Sequence, residues 1–200
     1  MFLRQIVFEY DGASGSSIDF TDPCPTQTMA TLPPYATALH FLRRYISQVH
    51  TWWPFLHLPR LRRDLEAVYQ NPGNSTDSQK FVIFAMLALT SAESQSDQDY
   101  RSLMDLNEPA SYFRTCLRFT EALYNHPQHV FKVQGFLLLG LWMLDSKVSR
   151  DCNDLWHLSR YIMSAAIEGG LHRQNASWHF SAEEQEIRTR TWWCSYNLER

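Results

Sequence analysis

The sequence predicts an all-α fold, a multi-helix bundle of about seven helices that reads as an incomplete domain. Three observations predict it. Two unbroken apolar runs, Phe81–Leu89 and Phe136–Leu144, are flanked by residues that extend them to helix length. The last stretch, Ser181–Arg200, opens with Ser181 and Glu184 at capping-box spacing, a helix-start signature. No segment reads as a convincing strand, and no repeat occurs at the periods of helical solenoids.

Residues 1–33 read as a leader and flexible linker, and residues 34–200 as the helical domain. Asp11–Ser17 is Gly/Ser-rich, and the chain beyond it is punctuated by Pro23, Pro25, Pro33 and Pro34. A first helix is expected from Tyr35 to about Trp52, with Leu39, Leu42, Ile46 and Val49 on one face. Pro54 ends it, because proline disfavours helical geometry in the residue before it. Leu61–Tyr69 makes a second, shorter helix, and Asn71–Ser75 a turn. Gln79–Ala92 is a third, apolar nearly all round and therefore central. A polar loop over Glu93–Asp99 leads to a weakly defined stretch around Tyr100–Leu106.

Pro109 suits the first turn of a fourth helix that extends to about Tyr124, burying Phe113, Leu117, Leu123 and Tyr124. Pro127 opens a fifth in the same way, to about Asp145. Gly140 inside it costs about 1 kcal/mol relative to alanine, and close approach of a neighbouring helix is the expected return. Asp151 or Asn153 caps a sixth helix through Glu168. Gly169-Gly170 then supplies a left-handed cap, with Leu171 folding back as its apolar contact. The seventh helix is the closing one. Ile187, Thr191, Cys194 and Leu198 form one stripe, while Trp192, Trp193 and Tyr196 lie on another side. Two apolar sides predict a helix enclosed on both, with core packing for the tryptophans, as in the front part of a larger helical body.

Composition narrows the function. Apolar residues make up 44% and charged residues 20% of the chain, a globular balance. The net charge of −3 lacks the basic surplus with which a module grips phosphates, so direct nucleic-acid contact by this segment is not expected. Cys24, Cys116, Cys152 and Cys194 are far apart, without Cys-x-x-Cys spacing, which suits a reducing compartment rather than a disulfide framework or zinc site. Each reads as a small buried hydrophobe or a free surface thiol. The nine-residue apolar runs fall short of the roughly 20 residues that span a bilayer, and the N-terminus is a poor signal peptide, so an intracellular protein without membrane contact is expected.

Reactive constellations are scarce. Gly12-Ala-Ser-Gly15 lacks the nucleophile-elbow spacing, and no phosphate-binding glycine loop occurs. His126 and His129 could face one way, but a zinc site needs four converging ligands. No catalytic residue, metal ligand or cofactor is expected in this chain. The aromatic residues could line a ligand pocket, although at helical spacing core packing is the default.

Several segments in order resemble the fungal-specific transcription factor domain, the middle homology region of the Zn2Cys6 binuclear-cluster regulators. His50–Arg60 is similar to a helix-end segment of that family, and Phe131–Leu144 to its apolar helix. The helix from Trp156 ends in Gly170, Leu171, His172 and Arg173, like the family's Gly-Leu-His-Arg. Glu186, Arg188, Arg190, Trp192, Trp193, Tyr196 and Arg200 match its Glu-x-Arg-x-Arg-x-Trp-Trp signature, with Glu199 where Asp is usual. The resemblance covers about residues 38–200 and implies a non-catalytic, nuclear, regulatory role in transcription. Its implied partners are other domains of the same regulator or the transcription machinery, with a small-molecule effector as a further candidate. In this family zinc and DNA are held by a six-cysteine cluster that these residues do not contain, so neither is carried over to any position here. The motif residues are expected to be structural; Arg188 and Arg190 are expected to pair with Glu183, Glu184 or Glu186. The alternative is a helical protein-interaction scaffold unrelated to transcription.

Overall fold

The computed structural model describes residues 29–93, 108–145, 153–173 and 178–200. These form eight α-helices and one π-helical turn, with no strand among the described residues. In chain order the helices are α1 (Tyr35–Arg44), α2 (Leu58–Gln70), α3 (Asp77–Glu93) and α4 (Pro109–Leu117). They continue as α5 (Glu121–Tyr124), α6 (His129–Asp145), α7 (Asn153–Glu168) and α8 (Ala182–Glu199). The leader residues up to 28, the loop and stretch over 94–107, and Asp151 lie outside the described residues.

Two helices organise the packing, and both were legible as apolar runs. Every residue of Phe81–Ser91 in α3 is buried, and so is all of Phe131–Met143 in α6 apart from Lys132. A helix that is apolar all round must be covered on every side. Accordingly α3 packs against α1, α2, α4, α5 and α6, while α6 packs against α3, α5, α7 and α8. The α3 start carries a capping box that the sequence pattern alone did not single out. Thr76 N donates to Gln79 Oε1 at 2.9 Å, and Gln79 N to Thr76 Oγ1 at 3.3 Å.

The packed body begins ahead of the boundary expected at Pro34. Ala30 is buried, and its N–H donates to Thr115 Oγ1 at 2.9 Å. Tyr69 Oη donates to Pro33 O at 2.6 Å.

Three helix readings are corrected. The first helix does not run regularly to Trp52; it passes into a π-helical turn over Tyr45–Val49. Its buried face is Thr37, Ala38, Phe41, Leu42 and Tyr45; of the expected stripe Leu42 is buried, while Leu39, Ile46 and Val49 are half-buried. The fourth helix splits. After Leu117 the N–H groups of Arg118, Phe119 and Thr120 bond three residues back rather than four, which tightens the chain and ends α4. Tyr124, expected inside, is left exposed on α5. The fifth helix opens at His129, not Pro127; there the Gln128 N–H donates to His126 Nδ1 at 3.1 Å.

At the end of α7 the expected cap forms. Gly170 has φ +64°. Its N–H donates to Ile167 O, and Leu171 N–H to Ala166 O, both at 2.9 Å. That pair of bonds is the Schellman arrangement, and Leu171 is buried beneath it.

Candidate functional site

A cavity of about 950 Å³ opens where four helix ends meet. The starts of α2, α6 and α8 and the end of α7 frame it. Local sequence explains each position. His57 is extended ahead of α2, and Pro59 sits in the first turn where its missing N–H costs nothing. Ser181 and Glu184 hold the start of α8 in a full capping box, with Ser181 N donating to Glu184 Oε2 at 2.8 Å. Hydrogen bonds from Ser181 hold the Glu184 carboxyl below its usual range.

The cavity floor is apolar, made by Leu56, Leu61, Val82, Phe131 and Ile187. Gln134 is the buried polar group at its base; Nε2 donates to Phe55 O at 2.6 Å and Thr191 Oγ1 at 3.4 Å, tying α6 to α8. The walls are charged. His57 Nε2 meets Glu183 Oε1 across the opening, joining α2 to α8. The Arg60 guanidinium lies 5.4 Å from the Phe131 ring centroid and 3.8 Å from Asp64. Asp64 also accepts from Gln79 Nε2 at 2.9 Å. An apolar floor under a few placed polar groups is the anatomy of a small-molecule or partner pocket.

Arg188 departs from the pairing expected of it. Its Nη2 donates to Gly169 O at 2.9 Å and Gly170 O at 3.1 Å. It also lies 5.4 Å from the Trp178 ring centroid and 4.4 Å from that of Phe180. Burial lowers its pKa, an effect that Glu184 opposes. Arg190 does pair as expected, with Nε 2.7 Å from Glu186 Oε1.

The motif residues thus divide. Gly170, His172, Arg173 and Arg188 line the cavity. Trp156, Trp192, Trp193 and Tyr196 do not. Trp156 is 55% exposed, with the Arg160 guanidinium 5.4 Å from its ring. Trp192 is half-buried and its ring lies 5.5 Å from that of His172. Trp193, expected in a core, is 55% exposed; it meets Tyr196 edge-on at 5.8 Å, and Arg200 lies 5.2 Å from the Tyr196 ring. One side of α8 is therefore buried through Thr191, Cys194 and Ser195, and the Trp193 side is open among the described residues. The cavity residues from α2 and α6 were missed. Pro59, in the first turn of α2, and Pro127, two residues ahead of α6, were the available signal, but nothing in sequence says that these starts meet.

A second polar spot lies at the π-helical turn and its end, near Arg190 and Cys194 of α8. Among the described residues, Tyr45 Oη and His50 Nδ1 are buried without a hydrogen-bond partner. Burial, then the Arg190 charge, lowers the His50 pKa. Burial pushes the Cys194 thiol up to about 12. Among the described residues, Cys116 and Cys194 are both buried and form no disulfide.

The described residues form an all-helical body with a pocket framed by helix ends. Comparison with known proteins supplies its particular family. The model of the fungal specific transcription factor domain matches residues 42–200, and the chain belongs to that family. It is 25% identical to an uncharacterized transcriptional regulatory protein of Schizosaccharomyces pombe over 87% of this chain and 22% of that protein. It is 24% identical to an aurofusarin cluster transcription factor of Gibberella zeae over 87% of this chain and 26% of that protein. A pyrimidine pathway regulatory protein of Saccharomyces cerevisiae is 23% identical over 48% of this chain and 10% of its own length. The chain thus spans about a quarter or less of these relatives. No solved structure matches it significantly. Family and relatives place the chain in transcription regulation.

Proposed function

We propose that this chain is a non-catalytic regulatory domain of a nuclear transcription factor, controlling the output of the regulator that carries it. The family match over residues 42–200 carries this reading. The cavity at the helix ends supports it, because a ligand there touches α2, α6, α7 and α8 at once and can bias how they pack. In this reading the partners are other domains of the regulator or of the transcription machinery, and a small molecule is the effector. DNA and zinc are engaged by a separate cysteine cluster of such regulators, not by residues of this chain.

The test is a reporter fusion. The chain is placed between an unrelated DNA-binding domain and an activation domain in yeast. Output should change several-fold relative to a fusion carrying an inert helical domain of equal size. Equal output from both fusions, across varied growth media, refutes a regulatory role.

A further inference from the structure

We infer that the cavity between α2, α6, α7 and α8 binds a small organic acid: one carboxylate on an apolar, ring-sized body. The inference deepens the proposed function and rests on reading the cavity as the effector site. Three properties of the walls select this chemistry.

The floor of Leu61, Val82, Phe131 and Ile187 is apolar, and Gln134 Nε2 at its base is taken by Phe55 O and Thr191 Oγ1, so the occupant presents an apolar body to it. The volume of about 950 Å³ is ample for such a ring and its substituents.

The carboxylates around the opening are largely engaged already. Asp64 is held by Gln79 and Arg60, Glu183 by His57, and Glu184 by its own helix start. Glu168 remains exposed at the rim. They leave little to attract a cationic ligand.

The cations are not all engaged. Arg188 is committed to the α7 carbonyls. Arg173 is different. Its Nε donates to His172 Nε2 at 3.0 Å, and among the described residues no carboxylate or carbonyl engages its guanidinium. An arginine fork that no protein anion fills is suited to a ligand carboxylate, which it can grip with two hydrogen bonds. Residues at the starts of α2, α6 and α8 also line the cavity, and the positive ends of these three helix dipoles outnumber the negative end of α7 there.

The probes are 2-naphthoate and its neutral isostere 2-naphthamide, titrated calorimetrically into the 200-residue chain. Naphthoate should bind once and saturably, about 10-fold more tightly than the amide, the size of one charge-assisted contact. Arg173→Gln changes an exposed side chain whose hydrogen bond to a side chain, among the described residues, goes to the neighbouring His172. It should remove most of that preference and leave amide binding unchanged. Ile167→Trp, on the exposed rim, should weaken both ligands by filling the opening.

Equal affinity for acid and amide overturns the inference, as does naphthoate binding that Arg173→Gln leaves intact, or no saturable binding at all. The reporter fusion separates this from the regulatory reading. Regulation without acid binding removes the organic-acid site alone. Acid binding that Arg173→Gln abolishes, with reporter output unchanged, removes the effector role and leaves the site.

Discussion

Arg188, two turns into α8, closes the end of α7: its guanidinium donates to Gly169 O and Gly170 O at 2.9 and 3.1 Å. The last carbonyls of a helix have no partner within it, and a cation there also meets the negative end of the dipole. Arg188 thereby joins two helices across the cavity wall. Arg188→Gln should destabilise the fold by about 1.5–3 kcal/mol, the range for hydrogen bonds to a charged group, reduced by partial exposure. Arg188→Lys should fall between, since it keeps the charge but loses the planar guanidinium that lies against the Trp178 and Phe180 rings. Urea unfolding of the three proteins checks the order. A loss no larger than for an ordinary surface arginine would show that the cap is not held in solution.

Two glycines in α6 look alike in sequence and should respond oppositely to alanine. A Cβ at Gly140 would stand 2.7 Å from Leu198 Cδ2 and 3.6 Å from Ile162 Cδ1. Leu198 is half-buried, and its methyl can swing aside. Alanine also gains about 1 kcal/mol of helix propensity. Gly140→Ala should therefore be within about 1 kcal/mol of neutral. A Cβ at Gly135 would overlap Leu123 Cδ2 and lie 2.8 Å from Cδ1. Leu123 is fully buried, with no room to move. Gly135→Ala should cost about 1–3 kcal/mol through overpacking. Thermal melts of both variants decide, and equal effects would mean that the two helix contacts are equally loose.

The features legible in the sequence were the local ones. The capping box of Ser181 and Glu184, the left-handed turn at Gly170 and the central runs in α3 and α6 each depend on residues a few positions apart. The close approach at Gly140 was legible for the same reason, because a glycine in a helix needs a packing explanation. What stayed hidden depends on distant pairs. Arg188 has glutamates at helical spacing, so the sequence favours those; only the fold shows that the α7 carbonyls lie closer to its guanidinium. The π-helical turn over Tyr45–Val49 interrupts the first helix without leaving a pattern in the residues. The cavity is hidden most completely, because its walls come from four helix ends separated by long stretches of chain.

Acid should weaken the fold partly through His50. Burial, then the Arg190 charge, lowers its folded pKa below the ordinary value near 6.5. The unfolded chain then binds the proton more readily than the folded one. His50 thus contributes stability that is present above about pH 6.5 and is lost as the pH falls from there toward its lowered folded value. The midpoint of urea unfolding should drop between about pH 7 and pH 5, and His50→Gln should flatten that drop. An unchanged slope in the variant would show that His50 is not held neutral by the π-helical turn.

Trp192 and Trp193 are neighbours in sequence but should differ in what they contribute. Trp192 packs half-buried against the core and beside His172, so Trp192→Ala should cost about 1–3 kcal/mol, less than for a fully buried ring. Trp193 is 55% exposed and touches Tyr196 edge-on. Trp193→Ser removes one exposed aromatic contact, and its effect on chain stability should stay within about 0.5–1 kcal/mol. Calorimetric melts of the two variants at matched concentration test the difference. A Trp193→Ser loss as large as that of Trp192→Ala would mean that the outer side of α8 is covered by protein in solution. A smaller loss would leave that side of the helix free of any contribution to the stability of this body.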